Sequence, residues 1–346
     1  MTHTAKTDKA GFSAREYLWL TAALLAVMLL CVTVGSVPLA FSDMMQAAVN
    51  ALRGLPMPEG FSAAILSRRL QRVLCVALSG ASLSLCGGAM QGLLRNPLAD
   101  GSTLGVSAGA SLGAVIALAF GISIPGLPYA GTMGMAMLFA FGSLLLILAL
   151  AYALDRSFST HSIILIGMIF SMFASALMSL VISFSGDKIK SITFWTMGSL
   201  ADSSYSYALI LLAALVICGA VLLHRCRELN AFAMGEDSAR HVGVHVRRVK
   251  MTVLIAVSVL IGVCVSIGGT ISFVGLVTPH MARMLAGPNH KRLLPASLFF
   301  GAIFLLLADL AARTVLSPRQ LSIGVVTSLV GAVAFVILFH RTGRRR

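Results

Sequence analysis

Long uncharged apolar runs dominate this chain. There are 26 residues without a formal charge between Glu16 and Asp43, and 54 between Asp100 and Asp155. A helix needs about 20 apolar residues to cross the hydrocarbon layer of a membrane. The first run therefore predicts one span and the second predicts two, with a turn at residues 125 to 128, Pro-Gly-Leu-Pro. Because the runs are continuously apolar and do not alternate, they favour helices over a barrel.

The same pattern predicts ten spans in all. The other seven lie near residues 73 to 94, 157 to 186, 203 to 224, 251 to 268, 271 to 286, 294 to 312 and 321 to 340. The predicted fold class is an all-α polytopic membrane protein with a transmembrane domain at residues 17 to 340. A tail of residues 1 to 16 and a basic tail of residues 341 to 346 flank it. A content of 58% hydrophobic and 11% charged residues lies outside the range of soluble globular proteins.

The distribution of Lys and Arg predicts the orientation. An even number of spans puts both termini on one side. If that side is the cytoplasm, 18 of the 26 Lys and Arg residues lie in inner segments and 8 in outer ones. Cytoplasmic segments of membrane proteins carry such an excess. The first apolar run is too long for a signal-peptide core, so the first span is expected to be retained. The net charge of +14 is a topology signal, with nothing typical of a nucleic-acid surface.

One long charged segment, residues 225 to 250, interrupts the apolar pattern. Within it, Gly235 followed by Glu236 and Asp237 predicts a turn and then a short helix, whose first-turn carboxylates suit the positive end of the helix dipole. Two interpretations are open. The segment is either the place where a partner protein drives this chain, or a solvated loop that its basic residues hold at the lipid headgroups.

The chain has little chemistry of its own. It contains no P-loop pattern, so ATP would have to be hydrolysed by another subunit. His241 and His245 have the spacing of a two-histidine metal site, but no third ligand is evident and no metal site is predicted. The six scattered cysteines are expected to be small buried residues. Asp309 is the one carboxylate deep in a predicted span, and Arg313 one turn further on predicts an intramembrane ion pair.

Seven ordered blocks between about residues 60 and 340 carry a family resemblance. They are RLQR at 69 to 72, QGLLRNPLAD at 91 to 100, LGVSAGA at 104 to 110, GEDSARHVGV at 235 to 244, SFVGLVTPHMAR at 272 to 283, LADLAAR at 307 to 313 and GVVT at 324 to 327. Together they resemble the FecCD family, the permease subunits of ABC importers for iron-siderophore, haem and cobalamin.

The resemblance implies the architecture of the cobalamin-importer permease, with ten helices per subunit, as the spans also predict. It further implies a homodimer around a central pathway, two ATP-binding subunits and a periplasmic or lipid-anchored substrate-binding protein. The fifth and tenth predicted spans, near residues 157 to 186 and 321 to 340, are the expected lining of the pathway. No cofactor is expected on this chain, and ATP and Mg are expected on the partner ATPase.

The resemblance also implies three sets of site residues. The ATPase-coupling set is Gly235, Glu236, Asp237, Ala239, Arg240 and Gly243. The set that docks the binding protein is Arg69, Arg72 and Arg313, which match outward-facing arginines of the family. Arg68 beside them could share that contact. The alternative for these arginines is snorkelling to the outer headgroups. The cytoplasmic gate is Asn96, Leu98, Thr160 and His161, and the alternative for these is that they are ordinary interfacial loop residues.

The predicted function is that of the permease subunit of an ABC importer in the bacterial inner membrane. A metal chelate is the expected cargo, ferric siderophore first, with haem, cobalamin and molybdate also open. The alternative from another class is an ion-coupled secondary carrier. A single buried, paired carboxylate counts against such a carrier. A non-transporting membrane receptor is a more distant alternative, because the chain shows no sizeable soluble sensing domain.

Overall fold

The structure is a computed structural model that describes residues 11–35, 37, 46, 49–50, 61–124, 130–156 and 159–343. The predicted turn at residues 125 to 128 lies outside the described residues, as do most of the N-terminal tail and residues 344 to 346. Residues 51 to 60, before the second predicted span, form another of these gaps.

The described chain is built of α-helices. In chain order they are α1 (Ala14–Thr33), α2 (Phe61–Leu93), α3 (Val106–Phe120), α4 (Ala130–Leu154), α5 (Thr160–Ser183), α6 (Ile189–Thr196), α7 (Tyr205–His224), α8 (Cys226–Phe232), α9 (Glu236–His241), α10 (Val246–Gly268), α11 (Val274–Ala286), α12 (His290–Thr314) and α13 (Ile323–Gly343). Short 3-10 turns precede α3 and α6, at Gly101–Leu104 and Gly186–Lys188.

The prediction of a helical membrane protein is confirmed, because each predicted span contains a helix. Among the described residues, seven helices are long and apolar enough to cross a membrane, namely α1, α2, α4, α5, α7, α10 and α12. Two others have shorter apolar stretches, Val106–Phe120 in α3 and Ile323–Ile337 in α13. Helix α11 has 13 residues. The count of ten spans therefore stays a prediction.

Two features of the helix pattern differ from the prediction. Helix α2 begins at Phe61, about three turns before the predicted start near residue 73, and so contains three arginines. In the sequence pattern these arginines mark a span boundary, but two of them are buried and bonded inside the bundle. In addition, α6 and α8 are short helices that the pattern does not predict. The short helix after Gly235 is predicted, and α9 confirms it.

Helix α2 lies at the centre of the bundle and packs along α12, with α7, α10 and α11 around it. Between α2 and α12 the backbones approach so closely that a Cβ at Gly80 would collide with the carbonyl of Gly301, and the reverse also holds. Lipid tails are as apolar as Leu side chains, so helix contacts in a membrane depend on such close packing of small residues. Helices α1, α4, α5 and α7 are largely exposed in the single chain.

The predicted inner and outer segments gather at opposite ends of the bundle. At the inner end, side chains join segments distant in sequence: Arg292 with Glu16, Asn230 with Asn289, and Thr160 with Glu236. At the other end, Arg72 bonds Gln320 and Lys188 bonds the Ala119 carbonyl. This is the arrangement that alternating spans require. The assignment of the first end to the cytoplasm rests on the Lys and Arg distribution and stays a prediction.

Substitution of Gly80 by Ala should destabilise the bundle by about 1–3 kcal/mol, because the added methyl group meets the α12 backbone, which cannot move aside cheaply. Thermal unfolding in detergent, followed by size-exclusion profile, measures this. Gly142→Ala is the matched control. It also lies in a helix, but a Cβ there meets nothing within 4 Å. Equal melting temperatures for the two variants would contradict the tight contact between α2 and α12.

Candidate coupling and gating site

Helix α9 is a short, defined helix at the predicted inner end. It begins after Gly235, whose φ of 116° is open to glycine at little cost. It ends in a Schellman motif, in which Val244 N donates to the Ala239 carbonyl and Gly243 N to the Arg240 carbonyl. Gly243 takes the left-handed conformation this motif needs, with φ of 85°. The two glycines of the predicted coupling set therefore set the two ends of α9.

The other residues of the coupling set face in two directions. The side chains of Asp237 and Arg240 are 87% and 54% exposed and pair with each other at 3.0 Å. Ala239 is fully buried against the core. The two exposed residues form a charged face of α9 that points away from the bundle, where a partner could contact it. An exposed pair of this kind contributes little to stability.

Glu236 points into the bundle, although it is next to Asp237 in sequence. Its Oε1 lies 2.6 Å from Nζ of Lys250 on α10 and accepts a hydrogen bond of 2.7 Å from Oγ1 of Thr160 on α5. Burial disfavours ionisation of this carboxyl, but the bonds from Lys250 and Thr160 outweigh it and hold the pKa of Glu236 below its ordinary value. Glu236 is therefore a carboxylate near neutral pH.

Thr160 and His161 lie in the first turn of α5. Ser159 caps this helix by accepting from Ser162 N. The Asp155 carboxylate holds the cap in turn, since its Oδ2 accepts bonds from Ser159 N at 3.1 Å and from Ser162 Oγ at 2.8 Å. His161 is exposed, whereas Thr160 is half-buried and turned toward α9.

The second predicted gate loop follows α2. Arg95 has a positive φ of 51°, and the Asn96 Oδ1 atom accepts a bond of 2.9 Å from Leu98 N, which gives the loop a fixed local shape. Leu98 is 50% exposed. The guanidinium of Arg95 lies close to Gly235 at the start of α9. The structure thus places both predicted gate loops beside the predicted coupling helix.

At the opposite end, Asp309 is surrounded by arginines. Arg72 binds Asp309 Oδ1 through both Nε (2.9 Å) and Nη2 (2.8 Å), and its Nη1 donates to Gln320 Oε1 at 2.9 Å. Arg313 Nε lies 3.0 Å from Asp309 Oδ2, without the alignment of a hydrogen bond. Arg313 Nη2 donates to the Cys31 carbonyl. The predicted pair of Asp309 and Arg313 is present, within a larger cluster.

The three arginines predicted to dock a binding protein are all buried in this structure. Arg69, Arg72 and Arg313 are 7%, 9% and 4% exposed. Arg69 donates to the carbonyls of Val32, Thr33 and Val37, where a cation suits the negative end of α1. Arg68, in contrast, is exposed and lines a shallow cavity of about 640 Å³ with Gln71, Asp202 and Tyr207. Docking by the three buried arginines stays a prediction.

Sequence reasoning misses Lys250 and Gln320 as partners in these sites. In the charge pattern Lys250 is only a basic loop residue, yet it lies on the buried stripe of α10 formed by Val246, Val249, Val253 and Leu254. A buried lysine on such a stripe needs an anionic partner, and its position among the apolar residues can be read from the sequence. Gln320 lies in an irregular segment before α13, where no periodic pattern points to a partner.

Comparison with solved structures defines the class of protein. The chain matches the solved structure described as an inward-facing conformation of a metal-chelate type ABC transporter, with a TM-score of 0.82 and 32% identity over 95% of this chain and 100% of that chain. The protein is thus a permease subunit of an ABC transporter, a multi-pass protein of the inner membrane. It belongs to the FecCD transport family, whose model matches residues 23–341.

Two relatives show the range of this family. The chain is 36% identical to the molybdate import system permease protein MolB of Haemophilus influenzae, over 81% of this chain and 82% of MolB. It is 33% identical to the cobalamin import system permease protein BtuC of Halobacterium salinarum, over 95% of this chain and 97% of BtuC. Permease subunits of this class hydrolyse no ATP, which is the task of a partner ATPase. None of these comparisons supports the secondary-carrier alternative.

Substitution of Asp309 by Asn should cost about 3–5 kcal/mol of stability, because it leaves buried arginines without their anion. The measurement is thermal unfolding of the purified chain in detergent. Asp187→Asn is the matched control on an exposed carboxylate, and it should change stability by less than about 0.5 kcal/mol. An Asp309→Asn variant as stable as its parent would show that the cluster contributes nothing to the fold.

Proposed function

We propose that this chain is the translocation subunit of a binding-protein-dependent importer for a metal chelate, with ferric siderophore as the first candidate cargo. The observation that carries the proposal is α9, which presents Asp237 and Arg240 outward while Glu236 reaches α5 and α10 inward. Such a helix can receive movement from a partner and pass it to the predicted gate. ATP and Mg bind the partner ATPase in this proposal, and this chain binds no cofactor.

A second copy of the chain completes the pathway in this proposal. Helices α5 and α13 carry exposed apolar side chains, among them Met172 (73%), Phe173 (59%), Val333 (62%) and Val336 (67%). Large exposed apolar surfaces of this kind meet lipid or another protein. A homodimer that joins these faces would form a wide, apolar passage between the copies, which suits a bulky cargo held weakly.

Ferric siderophore is preferred over the other cargoes on the breadth of the family. Haem and cobalamin are chelates of similar bulk and remain candidates, and MolB is named for molybdate. Specificity would reside in the binding protein, because a weakly interacting passage does not need to recognise its cargo.

An ion-coupled carrier is less well supported by the charges of the bundle. Asp309 is already bound by two arginines, and Glu236 is bound by Lys250 and Thr160. A carboxylate that carries protons or sodium ions has to exchange its partner during transport, and neutralisation by two fixed cations opposes this.

The tagged chain, purified from detergent-solubilised membranes, should carry an ATPase subunit with measurable ATP hydrolysis. Asp237→Lys should lower the amount of ATPase recovered with the chain roughly tenfold, since it reverses a charge on the exposed face of α9. The control is Asp187→Lys, the same reversal at an exposed site of the opposite end. Reproducible recovery of the chain alone, without ATP hydrolysis, would contradict the importer function.

Arg68→Glu should weaken binding of the substrate-binding protein about fivefold at low salt, with a smaller effect at high salt. The reason is that Arg68 is exposed, whereas Arg69 and Arg72 beside it are buried. The substrate-binding protein is first identified by mass spectrometry of the proteins recovered with the tagged permease, and its affinity for surface-immobilised permease is then measured. Arg227→Glu, an equal charge change on an exposed residue of the inner end, is the control. Unchanged affinity at low salt would exclude Arg68 from the docking surface.

A further inference from the structure

Helix α9 cannot hold its position by itself. It has six residues, and helices shorter than about 12 residues are marginal in water. Its attachments are the buried Ala239 methyl group, the Schellman end at Gly243 and the side chain of Glu236. Of these, only Glu236 makes directed polar bonds to two other helices. The directed polar contacts of α9 with α5 and α10 therefore run through one carboxylate.

A single oxygen of Glu236 makes both bonds. Oε1 lies 2.6 Å from Lys250 Nζ and 2.7 Å from Thr160 Oγ1. Lys250 is 1% exposed, so its ammonium group cannot exchange this bond for water without a movement of the helices. Thr160 is in the first turn of α5, one residue before the exposed His161. Displacement of α9 must therefore either pull the start of α5 with it or break the bond from Thr160.

The geometry points to Glu236 as an internal positioning residue that ties the cytoplasmic gate to the ATPase-driven helix, through Thr160 on α5, with Lys250 as its anchor on α10. This inference rests on the proposed importer function. It differs from the expectation that Glu236 meets the ATPase directly. In the adjacent pair of carboxylates, Asp237 faces the partner and Glu236 faces the gate.

A purely structural role for Glu236 is the main alternative. In that case the ion pair with Lys250 matters for folding, while the bond to Thr160 is incidental. Substitution of Glu236 or Lys250 does not separate the two roles, because each change breaks the ion pair itself, and loss of Glu236 also removes an anion from the buried Lys250. Asp155 is also close to Lys250 and could take over part of the charge. Thr160 separates the roles, since Thr160→Val removes one hydroxyl and leaves the ion pair intact.

The experiment uses Leu98→Cys as a gate reporter in inside-out vesicles that contain the complex with the co-purified ATPase. A membrane-impermeant maleimide reports how accessible this position is, with and without MgATP. The six native cysteines are buried, and burial raises the pKa of Cys226, which lies outside the predicted spans, to about 11. Native thiols should therefore react slowly near pH 7.

With Thr160 present, MgATP should change the labelling rate at position 98. Thr160→Val should reduce this ATP-dependent change about two- to tenfold, the range expected for loss of one hydrogen bond, while ATP hydrolysis continues. Thr160→Ser, which keeps the hydroxyl, should restore it. The matched control is Thr252→Val, where the lost bond runs only to the Arg248 carbonyl of the same helix.

Each other outcome has a defined meaning. An unchanged ATP response in Thr160→Val would overturn the inference and leave the importer function standing. So would a response that Thr160→Ser fails to restore, or loss of the ATPase from the Thr160→Val complex, because Thr160 would then act in packing or assembly. A complex that hydrolyses ATP without any response at position 98, even with Thr160 present, also overturns it. Absence of any ATPase from the complex of the unsubstituted chain would remove the proposed function itself.

Discussion

Charges buried in an apolar bundle have to be paired, and this constraint organises both ends of the molecule. An unpaired charge in a medium of low dielectric constant costs several kcal/mol or more, so each buried cation must lie where an anion can reach it. At the predicted outer end, Asp309 on α12 holds Arg72 of α2, 237 residues away in sequence. At the predicted inner end, Glu236 on α9 holds Lys250 of α10. These pairs fix which parts of distant helices lie side by side.

The pairing acts together with close backbone packing. The hydrophobic effect does not drive helices together inside lipid, so shape has to hold them. The contact of Gly80 with Gly301 brings α2 and α12 together in the middle of the bundle, and the Asp309 cluster joins the same two helices nearer their predicted outer ends. Two separate contacts along one helix pair fix the register as well as the distance. Helix α2 can therefore begin at Phe61, before its arginines, instead of after them.

Periodicity and local spacing predict much of this structure. The apolar runs predict the helices, the i, i+4 spacing predicts Asp309 with Arg313, and Gly235 with two following carboxylates predicts α9. Partners distant in sequence cannot be predicted in the same way. Nothing in the local pattern around Arg72 indicates that Asp309 is its anion. The interpretation of Arg72 as a span boundary also predicts the wrong start for α2. The need of Lys250 for an anionic partner is predictable, because it lies on an apolar stripe of its helix. The identity of that partner is not.

The pair Glu236 and Asp237 shows why a motif alone does not assign roles. Consecutive residues of a helix point about 100° apart, so two neighbouring carboxylates at the start of α9 cannot both face the bundle. Ala239 is buried, which turns α9 so that Glu236 lies on the side of Lys250 while Asp237 remains 87% exposed. In the proposed importer, a force applied to the exposed side of α9 would reach the gate through Glu236 and Thr160. The Schellman end at Gly243 and the ionic contact of Glu236 hold the two ends of this six-residue helix, and Asp237 stays on its exposed side.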